Sequence, residues 1–282
     1  MFDLLNNLKE TPYLIDPKKQ DGKKVKFLMP QIKREDLAKY PEKIVETWGI
    51  DFAHGGYAEE RKFYFGEGQN TVFTHAGVDL FFDPELDIYA PFDCEIISVH
   101  WSMIVPYKPN QGSGGIITLK IEKEELFKFY KREYVNKIMK DDEFLIMHLI
   151  HLDPSVIFNV NGYQYEEIQI EGKLFWLPKN FKEMKVTAGT VIAKLGKERE
   201  NGGWRQHLHI ETRIVNSYDK YQDLESLKSE TSFLNSVGVI NGDSEEFRTN
   251  LKINKLVSPY LFFNFDENSK IENMTIKPYG KK

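Results

Sequence analysis

The chain is short of cysteine, of excess basic charge and of long apolar runs. Cys94 is the single cysteine among 282 residues, so no disulfide can form within the chain. Lysine and arginine number 38 against 43 acidic residues, which gives a net charge of -5 and no general basic surface for phosphates. No apolar stretch approaches the roughly 20 residues that cross a bilayer. These absences disfavour disulfide scaffolds, nucleic-acid binding and membrane spans.

The start of the chain, MFDLLNNLKE, lacks the basic residues and the apolar segment of a secretory signal. The sequence therefore predicts a cytoplasmic protein, and the alternative is an exported protein whose signal has been removed. Apolar residues make up 41% of the chain and aromatic residues 13%, which is enough to build a sizeable core. The composition is that of a folded globular protein.

Short β-type runs between turn residues dominate residues 70 to 214. The pattern predicts a mainly β protein with an antiparallel sandwich or barrel-like core, a helical N-terminal segment and helical insertions. Apolar residues at helical spacing predict one helix over Glu124–Met139. The simpler interpretation is that this helix covers the sheet, and the alternative is that it forms a lid over the substrate. The predicted strands are Val78–Phe82, Ile88–Ala90, Glu95–Trp101, Gly115–Glu122, Phe144–Leu149, Thr190–Leu195 and Leu208–Ile214.

The texture of the sequence divides the chain into three parts. Residues 1–66 form an N-terminal segment that packs beside the core, and a pro-region that caps the active groove is the alternative. Residues 67–265 form the main domain, with insertions at 123–142 and at 215–250, the latter polar with one or two short helices. Residues 266–282 form a polar tail that frays.

Five of the seven histidines lie in three short stretches, and two of these stretches indicate the halves of one zinc site. His75 and Asp79 form an H-x-x-x-D, and His207 and His209 form an H-x-H. Imidazole and carboxylate are the ligands that zinc prefers without thiolate, and three protein ligands leave a fourth position open for catalysis. Each motif alone is weak. Their occurrence together, with a third stretch at 148–151, favours a shared site.

The spacing within each motif constrains the backbone. On a strand, His207 and His209 face the same side because side chains alternate. A fully extended stretch from His75 to Asp79 would separate the two Cα atoms by roughly 13 Å, too far for one zinc. The chain therefore turns between them at Gly77, which predicts His75 on a loop and Asp79 at the start of a strand.

Five segments follow one another in a characteristic order. They are THAGVDL at 74–80, IYAPFDCEI at 88–96, IMHL at 146–149, VTAGTVIAKLG at 186–196 and NGGWRQHLHIE at 201–211. Taken in this order, they resemble the lysostaphin-type (LytM-like) zinc metallopeptidases, whose fold is the duplicated hybrid motif. A late SPYL at 258–261 is similar to the closing motif of the family. Cys94 departs from the family pattern, which usually has a turn glycine there.

The resemblance implies a zinc ion (Zn2+) held by His75, Asp79 and His209. It also implies that His148 and His207 are the two catalytic histidines. The implied reaction is cleavage of a peptide amide bond by a zinc-activated water, and in this family the peptides are those of peptidoglycan. A peptide or peptidoglycan-like substrate is the expected partner. His148 matches the phase of the family motif. The remaining histidine of that stretch, at position 151, is expected to lie on a surface loop.

Two alternatives remain open at this point. The first is a non-hydrolytic module on the same fold, either a metal-bearing scaffold or a relative of the sugar-transport phosphocarriers. A carrier needs one reactive histidine and no carboxylate ligand, so Asp79 disfavours it. The second is a zinc hydrolase that acts on a small intracellular metabolite.

Overall fold

The structure, a computed structural model, describes the part of the chain that carries the histidine motifs. Most of the 1–66 segment and of the 215–250 excursion, with the helices predicted there, lies outside the described residues. Those residues are 54–55, 60–64, 70–81, 87–104, 113–153, 155, 165–170, 173–179, 182–197, 201, 207–217, 239–241, 255–263, 265–266 and 274–275.

Antiparallel strands make up most of the described chain, so the predicted mainly β class is confirmed. Two helices, α1 and α2, span Lys123–Phe129 and Arg132–Ile138, and a 3-10 turn spans Pro259–Leu261. None of the described helices is long and apolar enough to cross a membrane. The strands β1 to β17 span, in order, His54–Gly55, Glu60–Tyr64, Asn70–His75, Val78–Phe81, Asp87–Tyr89, Cys94–Ile104, Gly114–Ile121, Phe144–Asp153, Tyr165–Ile170, Lys173–Pro178, Met184–Val186, Val191–Leu195, His207–Val215, Val239–Asn241, Leu256–Val257, Phe265–Asp266 and Met274–Thr275.

One large sheet contains most of these strands, in the order β1-β4-β13-β8-β7-β6-β10-β9. Strand β11 pairs with β6, β15 pairs with β13, and β12 pairs with both β5 and β8. Among the described strands this path is open, ending at β1 and β9. All seven predicted strands are present, and β6 and β8 continue to Ile104 and Asp153, beyond their predicted ends.

A second, three-stranded sheet has the order β14-β3-β2. Strands β3 and β4 follow each other in the chain but belong to different sheets, so the backbone changes sheet within the H-x-x-x-D motif. Strand β14 comes from the polar excursion, and its Val239 is paired with His75 at the end of β3. The excursion therefore contributes a strand beside the first histidine motif.

The centre of the large sheet, where β8 and β13 lie, is buried on both faces. On one face the side chains join the main apolar core, which also includes residues of α1 and α2. On the other face a smaller apolar cluster lies among polar side chains. Alternation along the strands puts Leu145, Met147, Leu149, Leu208, Ile210 and Ile214 on the core face, and Ile146, His148, Ile150, His207, His209, Glu211 and Arg213 on the opposite, polar face.

The single helix predicted over Glu124–Met139 is wrong, because the chain breaks it at Tyr130. Tyr130 has an extended backbone, with φ -124° and ψ 156°, and its buried hydroxyl donates to the carbonyl oxygen of Phe262 at 2.5 Å. Its ring contacts Phe92 and Phe262. Both helices contribute apolar side chains to the same core, so the apolar periodicity continues across a break that tertiary contacts impose.

His100, on β6, is a buried histidine to which the sequence analysis assigns no role. It is 4% exposed and is paired with Ile116 of β7. Neither ring nitrogen has a hydrogen-bond partner in the described part of the chain. Burial lowers the pKa of His100 to about 4, because the charged ring would lose its hydration.

Replacing His100 by leucine is expected to reduce the acid sensitivity of the fold. The unfolded chain takes up a proton near pH 6.5. The native ring stays neutral down to about pH 4. Stability is therefore lost as the pH falls between these values, by about 2.5 kcal/mol between about pH 7.5 and about pH 4.5. Urea denaturation at both pH values measures the loss. Ser98→Ala, on the same face of β6, is the control and should behave like wild type; equal losses in wild type and His100→Leu would contradict this assignment.

Candidate metal centre

The turn inside the H-x-x-x-D motif lies where the sequence predicts it. Strand β3 ends at His75 and β4 begins at Val78, so Gly77 lies in the bend between them. A Cβ atom at Gly77 would collide with the carbonyl oxygen of Ile210 and lie 2.5 Å from His209 Nε2. Glycine is therefore required here because the backbone passes against the second histidine motif.

The predicted loop position of His75 is wrong. His75 is the last residue of β3, which is paired with β2 on one side and with β14 on the other. Strand β2 immediately precedes β3 in the chain, but β14 comes from a distant part of the sequence, and its pairing with His75 leaves no local signal. The side chain of His75 lies outside the described residues.

Asp79 meets both histidines of the H-x-H motif. Strands β4 and β13 are antiparallel neighbours, and Asp79 is paired with His209. His209 Nδ1 lies 2.8 Å from Asp79 Oδ1, and His207 Nε2 lies 3.6 Å from the same oxygen. All three residues are almost fully buried. Two segments separated by about 130 positions in the chain are thus brought together around one carboxylate oxygen.

The chemistry of this group fits zinc as far as the described side chains extend. A carboxylate and imidazoles are zinc ligands, and two atoms bound to one tetrahedral zinc lie roughly 3.4 Å apart. The two predicted ligands whose side chains are described, Asp79 and His209, approach to 2.8 Å, a hydrogen-bond distance shorter than that separation, so a bound ion would require them to move apart slightly. Within the described residues, no group of three or more His, Cys, Asp or Glu side chains is arranged to hold a metal ion. The third predicted ligand, His75, is the one whose side chain is not described.

The sequence predicts His151 on a surface loop, and this prediction is wrong. His151 lies beside His207 and His209, and these three residues with Asp79 form the histidine cluster. Its ring centroid lies 4.3 Å from that of His207 and 6.3 Å from that of His209. Burial, and then the two neighbouring histidines, lower the pKa of His151 well below its usual value, although Asp79 opposes this. The ring is therefore neutral near pH 7.

His151 faces the same side of the sheet as His148 because β8 is irregular at His151. On a regular strand His148 and His151 would face opposite sides. Instead the register with β7 shifts between Gly115 and Ile116, and His151 has φ 68°. The sequence contains one signal for the role of His151, because His151-Leu152 repeats the His-Leu pair of His148-Leu149.

His148 lies on the polar face, two residues along β8 from Ile150, which is paired with His209. It is paired with Thr118 and with Glu211, and its Nδ1 lies 3.0 Å from Thr118 Oγ1. Because His209 is paired with Ile150, His148 is a diagonal neighbour of His209, with Cβ atoms roughly 7–8 Å apart. The structure brings His207 and His209 together at Asp79, and places His148 beside them rather than among them.

A buried ion pair follows the H-x-H motif on the same face of β13. Arg213 Nε donates to Glu211 Oε1 at 2.7 Å, and both side chains are fully buried. Buried charges need such partners, since an isolated one would lose its hydration without compensation. Sequence reasoning assigns no role to Arg213, although E-x-R on a strand places both charges on one face.

Comparisons with known proteins give a structural similarity but no match in sequence. The sequence matches no protein-family profile and no curated protein. Among solved structures, the chain is similar to the catalytic domain of the antimicrobial peptidase lysostaphin from Staphylococcus simulans, at 19% identity and a TM-score of 0.31. The similarity covers 69% of this chain and 100% of that domain.

Replacing Gly77 by alanine is expected to separate Asp79 from His209, because the new methyl group has no space beside Ile210 and the imidazole. The variant should bind zinc at least tenfold more weakly, as measured by competition with a chromophoric chelator. Gly196→Ala is the control: Gly196 is also tightly packed, but against His151 and Asn201 rather than this pair. Equal zinc affinity in wild type and Gly77→Ala would show that the turn does not position the ligands.

Proposed function

We propose that this chain is a zinc-dependent hydrolase of the lysostaphin type that cleaves peptide amide bonds. The observation that carries the proposal is the meeting of Asp79 with His209 and His207 on adjacent strands. The ordered motifs between residues 74 and 211 support it independently. His75, Asp79 and His209 would hold the ion, and peptidoglycan-type peptides are the first substrates to examine.

When bound, zinc would supply a Lewis acid that polarises the scissile carbonyl and lowers the pKa of water. The protein supplies the proton transfers. His207 lies beside the carboxylate of Asp79, and the His151 ring packs on His207. One of these imidazoles can accept a proton from water while the other donates one to the departing amine. The low exposure of the cluster strengthens each of these electrostatic contacts.

The role of His148 as a catalytic histidine remains a proposal, and the geometry offers His151 as its competitor. His148 is a diagonal neighbour of the metal pair, whereas His151 packs directly on His207. Both are neighbours that could reach a substrate held at Asp79. We therefore assign His207 to the reaction and leave the choice between the other two to single substitutions.

A second candidate, a zinc hydrolase for a small molecule, is favoured by the burial of the site. Asp79, His207 and His209 are 1–2% exposed, and His151 is 9% exposed. A polymer must reach the scissile position with a long stretch of chain, whereas a small substrate needs only a pocket. Turnover of single amino-acid amides with no turnover of longer peptides would favour this candidate.

Replacing His209 by alanine is expected to abolish stoichiometric zinc binding, because it removes the imidazole that lies 2.8 Å from Asp79 Oδ1. Atomic emission on the purified protein measures the bound metal. His100→Leu removes another buried histidine, which lies on β6 rather than at Asp79, and should retain zinc. If His209→Ala also retains one zinc per chain, the ligand assignment is wrong.

Hydrolysis is expected for at least one member of a panel of peptidoglycan fragments, D-amino-acid peptides and polyglycine, and should stop when zinc is removed by a chelator. His207→Ala should lower kcat by roughly 10²–10⁴-fold, the usual contribution of a general acid or base. His151→Ala and His148→Ala identify the second histidine by which of them gives a loss of similar size. No turnover of any panel member by the zinc-loaded protein would contradict the proposed activity.

A further inference from the structure

Strand β8 places His151 in the cluster by a local irregularity. Leu152 is paired with Gly115, and Ile150 with the next residue, Ile116, so His151 is an extra residue between them. Its φ of 68° lies in the left-handed region, which is strained for a residue with a side chain. Contacts elsewhere must hold His151 in this conformation.

Two hydrogen bonds, to Gly196 and to Asn201, hold His151. The backbone N–H of Gly196 donates to the carbonyl oxygen of His151 at 3.0 Å. His151 Nδ1 lies 2.8 Å from the backbone carbonyl oxygen of Asn201. Asn201 is fully buried, and its own N–H donates to the carbonyl oxygen of Lys197 at 2.8 Å. Gly196 and Asn201 therefore fix both the backbone and the ring of one histidine.

The ring contact determines where the proton lies on a neutral imidazole. A carbonyl oxygen only accepts hydrogen bonds, so His151 Nδ1 must carry the hydrogen. Nε2 is then the basic nitrogen. At a pH at which the ring is neutral, it carries a single N–H hydrogen, and this contact places that hydrogen on Nδ1. A single tautomer results.

Gly196 is the residue that permits this grip. A Cβ atom there would lie 2.9 Å from the carbonyl oxygen of His151 and 3.2 Å from the Cβ and the backbone nitrogen of Asn201. The first contact is with backbone and is shorter than real Cβ atoms show, so any side chain would push His151 and Asn201 apart. The lack of space between His151 and Asn201 is sufficient to explain the glycine at this position.

The geometry points to Gly196 and the Asn201 carbonyl as a clamp that positions His151 and fixes it as the Nδ1–H tautomer, with Nε2 left as the basic nitrogen of the cluster. Both are positioning residues, because they act through His151. A fixed basic nitrogen is what a general base needs, and its use in a reaction rests on the proposed function. The tautomer itself does not.

Long-range proton–nitrogen NMR on protein labelled with 15N-histidine reports the tautomer of each ring. The His151 signals are assigned by their loss in His151→Gln. At about pH 8, above the usual histidine pKa, wild type should show the proton on Nδ1. Gly196→Ala should give a mixture of tautomers, or the proton on Nε2. Asn201→Ala is the matched control: it removes a buried side chain but keeps the backbone carbonyl, so it should retain the wild-type tautomer even where it lowers stability.

A wild-type His151 with its proton on Nε2 would overturn the clamp, and this result needs no variant to fold. An unchanged tautomer in a folded Gly196→Ala, or the same change in Asn201→Ala, would also overturn it. Where a substrate is turned over, Gly196→Ala should lower kcat at least tenfold with less effect on KM, and equal kcat values would count against the clamp. The Nδ1–H tautomer without any turnover would reject the proposed function and leave the clamp in place.

Discussion

The contact between Asp79 and His209 is the interaction on which the rest of the site depends. It joins β4 to β13 at the point where the chain passes between two sheets, and it requires the bare backbone of Gly77. His207 approaches the same carboxylate oxygen, and His151 packs on His207. A buried carboxylate is stable only with such partners. The contact that would receive a metal ion is therefore also the one that makes the burial of Asp79 possible.

Polar groups on a sheet buried on both faces impose a second constraint. The described structure pairs Glu211 with Arg213, Thr118 with His148, and the Asn201 carbonyl with His151. Removing one member of such a pair leaves the other without compensation, which is more costly than removing both. The side chains of the candidate site therefore also contribute to the stability of this buried polar face. A substitution on the polar face changes stability and chemistry together, so each has to be measured beside the other.

The strands were predictable because their signals are local. Alternating apolar residues between turn residues identify β4 to β8, β12 and β13, and Gly77 marks the turn that the H-x-x-x-D spacing requires. The predicted helix fails at Tyr130, where a buried hydroxyl reaches the backbone of Phe262. Its apolar spacing gave no indication of the break, since both halves face one core.

The strand position of His75 and the burial of His151 were not predictable in the same way. The first depends on pairing with Val239, far along the chain. The second depends on an extra residue in β8, which turns His151 to the same face as His148, and on the hydrogen bond between His151 and the carbonyl oxygen of Asn201. Local patterns do not encode the register between distant segments, so the repeated His-Leu at 151–152 marks a candidate residue but does not place it.

The sequence by itself determined the residue types of the site, the strands that carry them and the need for a turn at Gly77, because side-chain alternation and chain reach are properties of a few consecutive residues. Only the tertiary structure decided which side chains meet. It brought Asp79 to His207 and His209, set His148 one step aside, and moved His151 from an expected surface loop into the cluster. The physical reason is that strand register, bulges and buried hydrogen bonds join segments that are far apart in the chain.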